Sequence, residues 1–132
     1  MCMIDDADMA QVYDSQHLTA RKAHTCDECG REIGPGERYN RVRGLWDGHW
    51  SVFKTCAHCD ALWHWFDVVC GGTLHGGMGA DLQDHWGEYG QPNLGRLLVM
   101  MNDKWRGRDV EQVRDLAGSN RLYRDVRAAR AA

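Results

Sequence analysis

Residues 25–59 read TCDECGREIGPGERYNRVRGLWDGHWSVFKTCAHC, and two cysteine pairs bracket the stretch: Cys26 with Cys29, and Cys56 with Cys59. In a C-x-x-C unit the backbone turns between two sulfurs and can aim both at one ion about 2.3 Å away. Gly30 follows the first pair, where such a knuckle needs a tight turn. The second pair stands where the β-forming run HWSVFKT gives way to a helical pattern, so Cys59 falls in a first helical turn. A helix N-terminus favours thiolate charge there. The spacing points to one ion held by Cys26, Cys29, Cys56 and Cys59, with zinc the default and iron in a rubredoxin-like site the alternative. Four thiolates leave no coordination place for water or substrate, so such a site is structural.

Inside the stretch, Gly34, Pro35 and Gly36 mark a tight turn. Asp47-Gly48 sits between ERYNRVRGL and HWSVFKT, and Asp-Gly between β-formers signals a hairpin whose central residues take positive φ. From Cys59 the apolar period changes: Leu62, Trp63, Phe66, Val69 and Cys70 recur at helical steps until Gly71-Gly72. Knuckle, hairpin, then a helix carrying the last two ligands is a treble-clef arrangement. The glycine-rich run GGTLHGGMG reads as a flexible link, with further helices expected near 79–89, 93–105, 109–117 and 120–130. Asn93, Asp109 and Asn120 are suited to cap them, and Gly107 and Gly118 to stop them. The expected fold is therefore α+β. An acidic N-terminal arm or short helix (1–23) precedes a zinc-bound treble clef (24–70), and a helical region (71–132) follows.

The residues CDECGREIGPGERYNR followed by CAHC resemble the four-cysteine treble-clef proteins of phages and prophages, and more loosely the zinc finger of DksA/TraR-type transcription regulators. The likeness covers about a quarter of the chain. Its spacer of 26 residues between Cys29 and Cys56 is longer than in those regulators, and residues 1–23 offer no acidic coiled-coil tip. What the resemblance implies is a non-enzymatic, phage-encoded accessory protein that binds a host protein complex. An inhibitor of a host defence system such as CRISPR is one example of that class.

The formal charge of −3 over 132 residues hides a segregation. Residues 1–19 carry four Asp and no Lys or Arg, residues 60–103 have a net charge of −5, and residues 104–132 of +4. Generic nucleic-acid binding gets no support from that balance, but a local basic surface stays open. No apolar run reaches membrane-spanning length, and the first residues show no signal pattern, so the expectation is a cytoplasmic chain with reduced thiols. Cys2 then reads as a free thiol on a mobile end and Cys70 as a small packed hydrophobe.

Three surfaces are candidates for contact. Asp81, Asp84 and Glu88 would meet a basic protein partner. Arg41 and Arg43 share one face of the first hairpin strand and, with Arg121, Arg124 and Arg127 of the last helix, would touch nucleic acid. Trp46 beside the hairpin turn and Trp65 off the helical stripe are the tryptophans read as exposed anchors, with Trp50 packed over the metal. His49, at the hairpin tip, completes the displayed set. An HNH-like nuclease is the remaining alternative, because such enzymes use a treble-clef frame. Yet Asp47 and His49, or His58 and Asp60, do not make the paired signature that chemistry needs. A second metal site from Cys70, His75 and His85 would straddle the glycine-rich link without recognised ligand spacing, so none is expected.

Overall fold

The hairpin forms where Asp47 and Gly48 supply it. Both take positive φ (51° and 77°), joining strand β4 (Arg38–Trp46) to β5 (His49–Cys56) in register Trp46↔His49 through Tyr39↔Cys56. This computed structural model describes residues 2, 4 and 9–131, together with all their side chains except that of Arg121. Strand β1 (Val12–Thr19) lies antiparallel on the other side of β4, giving sheet order β1-β4-β5. The arm expected over 1–23 is thus, over Val12–Thr19, an edge strand. Its polar sequence misled because its outward row meets solvent, as an edge permits. The acidic residues Asp5, Asp6 and Asp8 lie outside the described residues.

A two-stranded knuckle, β2 (His24–Thr25) with β3 (Glu32–Ile33), precedes β4. Helix α1 (Ala57–Cys70) runs directly out of β5, with Cys56 as its N-cap. Gly71, left-handed at φ 78°, closes it: its N–H reaches Asp67, and the N–H of Gly72 reaches Phe66. Four helices follow: α2 (Met78–Tyr89), α3 (Pro92–Asn102), α4 (Val110–Gly118) and α5 (Arg121–Ala131). Asp109 caps α4 in a reciprocal capping box with Gln112, and the Asn120 side chain accepts the N–H of Tyr123. Asn93 does not cap α3; Gln91 stands there, ahead of Pro92 at the first helical position.

Helix α1 touches β4 and β5 on one side and α4 and α5 on the other. A helix in that position needs apolar residues around more than one face. This is why Trp65, which departs from the simple stripe, is completely buried. One continuous core runs from Ile33 and Tyr39 through Leu62 and Phe66 to Leu97 and Val113. Helices α2–α5 therefore close the same interior that the sheet and knuckle open.

The glycine-rich link is also packed. His75 stacks against Trp63 (ring centroids 4.5 Å apart) and Phe53 (5.0 Å), with Tyr13 Oη 3.1 Å from its Nε2. Trp46 closes the nest edge-on and lies over Gly44, where a Cβ would come within 2.4 Å of its ring. Burial in this nest pushes His75 down from 6.5 to about 4. The folded chain binds its proton less readily than the unfolded chain. Stability from neutral His75 is thus fully present above about 6.5 and falls as pH drops toward about 4. His75→Phe removes this titration, so its stability relative to wild type should rise across that window in urea melts at stepped pH. Parallel pH profiles for the two proteins would contradict the assignment.

Candidate metal centre and exposed surfaces

The four cysteine sulfurs of the two pairs converge, all lying within 4.8 Å of one another. A tetrahedron of thiolates around zinc, with bonds of about 2.3 Å, requires sulfurs about 3.8 Å apart. Cys29 and Cys56 are separated by 3.8 Å. The knuckle contributes Cys26 and Cys29, with Gly30 left-handed at φ 77° between its two bonds: Gly30 N–H to Cys26 O and Cys26 N–H to Arg31 O. Cys56 ends β5, and Cys59 occupies the first turn of α1. The donor set and spacing fit a tetrathiolate metal site.

Each sulfur accepts an N–H. Cys26 receives that of Cys56 (3.3 Å), Cys29 that of Arg31 (3.4 Å), Cys56 that of Cys59 (3.4 Å), and Cys59 the indole N–H of Trp105 (3.2 Å). Such donors spread thiolate charge and hold ligand geometry. Hydrogen bonding from Cys29, Cys56 and Cys59 holds the Cys26 thiol far below its ordinary value. Contacts with Cys26 and Cys29 push Cys56 and Cys59 far above theirs. The protein alone does not sustain four adjacent thiolates, whereas a bound cation would.

Trp105 was legible only as part of a helix expected to reach residue 105. Instead α3 stops at Asn102, and Lys104 and Trp105 both take left-handed φ (56° and 58°). Such backbone costs on the order of 1 kcal/mol or more per residue, and here it turns the indole inward to Cys59. His58, inside the second pair, is buried against Trp105, with Nε2 2.7 Å from the Arg108 carbonyl. Glu28 and Asp27, between the first two ligands, reach outward. Glu28 accepts the N–H groups of Gly76 and Met78 at the start of α2, and Asp27 accepts that of Lys54. Burial pushes Glu28 up to about 7.

The interaction residues divide differently from the expectation. Asp81 is completely buried, with Thr73 donating to its Oδ2 at 2.7 Å, so it is no part of an acidic surface; Asp84 and Glu88 are exposed. Trp65 belongs to the core, and Trp46 to the nest around His75. Trp50, expected over the metal, is instead 53% exposed. Pairing register explains this reversal: Arg41, Arg43 and Leu45 stand opposite Lys54, Val52 and Trp50 on the other face from Val42 and Phe53, and only the end of that row, Tyr39 opposite Cys56, is buried. The Arg43 guanidinium lies 4.5 Å over the Trp50 ring, flanked by exposed Val12 and Val52. His49 is exposed at the tip, and Arg124 and Arg127 are exposed on α5, with Arg127 reaching back to the Tyr123 hydroxyl.

The residues weighed for nuclease chemistry are dispersed. His49 sits at one end of β5 and His58 beyond the other, while Asp60 pairs with His17 at 2.9 Å. A second convergence exists, however, where sequence spacing had indicated none: Cys2, Cys70 and His85, with Cys2 and Cys70 joined as a disulfide. His75, grouped with Cys70 and His85 by sequence, lies in the aromatic nest instead. The reading of Cys2 as a free thiol and Cys70 as a simple hydrophobe is corrected accordingly. Residues 68 apart gave no local signal of meeting.

Comparison finds no match for this chain among protein-family models, curated proteins or solved structures. Whatever is inferred about function therefore rests on the chain's own residues.

Trp105→Phe keeps the ring but removes the N–H to Cys59. Metal release to a chelator should accelerate by about 10–100-fold, with the circular dichroism spectrum preserved. Cys56→Ser should lose the metal and the cooperative thermal transition together, because structural zinc sites contribute about 10–16 kcal/mol in finger peptides.

Proposed function

We propose that this chain is a non-enzymatic binding module of treble-clef type, stapled by one structural zinc. Its working surface is the open face of the three-stranded sheet, and its partner is a protein with acidic groups around an apolar patch. The observation that carries the reading is Trp50, half exposed beneath Arg43, with exposed Val52 two residues along its strand and exposed Val12 across the sheet beyond Leu45. Trp and Arg dominate the energetics of protein interfaces, and here they are held in place by sheet pairing. Arg41, Arg43 and Lys54 outnumber Asp14 along this face, which favours an acidic partner over the basic one expected for an Asp81 surface.

Zinc fits because a closed four-thiolate set is its usual structural environment. Binding a host complex as a phage-type accessory protein is the use proposed for such a module. Inhibition of a host defence system would be one use of such binding. The second reading is nucleic-acid contact, favoured by Arg41 and Arg43 on the sheet and by exposed Arg124 on α5. Val12 and Val52 tip the balance toward protein, since phosphate backbones do not reward exposed valine.

Affinity capture with the purified chain should retain a defined protein partner. Trp50→Ala and Arg43→Glu should each weaken that binding by at least about 10-fold with the fold intact, and Asp84→Lys should not. Binding to DNA or RNA that collapses as salt rises, with no protein retained, would transfer the assignment to the second reading.

A further inference from the structure

The meeting of Cys2, Cys70 and His85 has no role in the tetrathiolate centre or the sheet face. Their ligand atoms lie within 4.8 Å of one another, with His85 Nε2 3.2 Å from the Cys70 sulfur and 3.9 Å from the Cys2 sulfur. His85 is completely buried, and the rings of Trp65, Phe66 and Tyr89 surround it. Its Nδ1 lies 2.8 Å from the Asp81 carbonyl oxygen and 3.0 Å from Asp81 Oδ1. Both neighbours are acceptors, so Nδ1 carries a proton, and Nε2 faces the two sulfurs.

Asp81 is the second, independent observation. It is completely buried; Thr73 satisfies Oδ2, while Oδ1 has no well-directed hydrogen bond and points at the histidine. A buried carboxylate is costly unless it has work to do. A carboxylate behind a histidine whose far nitrogen faces two sulfurs is how proteins orient an imidazole toward a metal ion.

We propose that Cys2, Cys70 and His85 form a second, redox-gated site for a divalent transition ion of the zinc type, with Asp81 positioning His85. The disulfide is the closed state. A small dithiol opens it by transferring two electrons: the Cys2–Cys70 bond breaks, two thiols form, and the dithiol leaves as its own disulfide. Metal binding then displaces both thiol protons and draws in the Nε2 lone pair. Three protein ligands leave one coordination place for water or an exogenous ligand, unlike the saturated four-cysteine centre. Occupancy also ties Cys2 to the end of α1 and the middle of α2.

The test counts metal on the full-length protein, anaerobically, with cobalt(II) or zinc as the probe. Dithiol-reduced wild type should bind two equivalents, and the protein with its disulfide intact should bind one. Cys2→Ser removes one sulfur ligand together with the disulfide, and His85→Ala removes the nitrogen ligand; each should drop the reduced protein to one equivalent. Asp81→Asn should keep the second equivalent but weaken it by about 10–100-fold. With cobalt, the second equivalent should add visible absorption distinct from that of the four-thiolate site. One equivalent in reduced wild type overturns the proposal, as does a second equivalent that survives in both Cys2→Ser and His85→Ala. Circular dichroism on each variant separates loss of the ion from loss of the fold.

Discussion

Four sulfurs brought within 4.8 Å impose the condition on which the remaining structure depends. Thiolates at that spacing repel, and burial removes the water that would screen them. A cation would resolve the conflict, and the protein surrounds the four sulfurs with N–H donors from four different positions: the knuckle, the end of β5, the first turn of α1, and Trp105 beyond α3. Those donors come from segments that no short-range propensity would bring together. The charge at the centre thus dictates where the hairpin ends, where α1 begins and why α3 must break.

Much of this was legible from residues alone. The cysteine spacing located the four-sulfur cluster, Asp47-Gly48 located the hairpin, and helical periodicity located α1, because each is a local signal with a direct physical cause. The later helices fell within a few residues of their expected places, apart from the end of α3. Sequence reading failed where long-range packing decides the outcome. Val12–Thr19 looked like a polar arm because an edge strand can present polar side chains along most of its length. Asp81 looked like surface charge because the Thr73 and His85 that accompany it inside the protein are not recognisable as partners in advance.

The tryptophans teach the same lesson in the opposite direction. Their number was informative, but their placement was not: Trp65 went inward, and Trp50 outward. Helix α1 is clasped on two sides, which extends its buried surface past a single stripe and takes in Trp65. For Trp50, the strand's period of two outweighed the hydrophobicity of the indole, since Phe53 and Val42 already occupy the face toward α1. The result is an aromatic side chain displayed beside a guanidinium on the sheet surface.

The two residues between the first pair of ligands carry a wider consequence. Asp27 holds the backbone of β5, and Glu28 holds the start of α2, so the five-atom reach of a knuckle side chain joins regions nearly fifty positions apart. A boundary at residue 70 is therefore a line in the sequence but not in the mechanics. Cutting there would strip Glu28 of its partners and uncover Leu62 and Trp65. The four-cysteine segment is not a cassette that can be lifted out and grafted. It behaves as the keystone of a single arch, carrying thrust from the sheet on one side and the helices on the other.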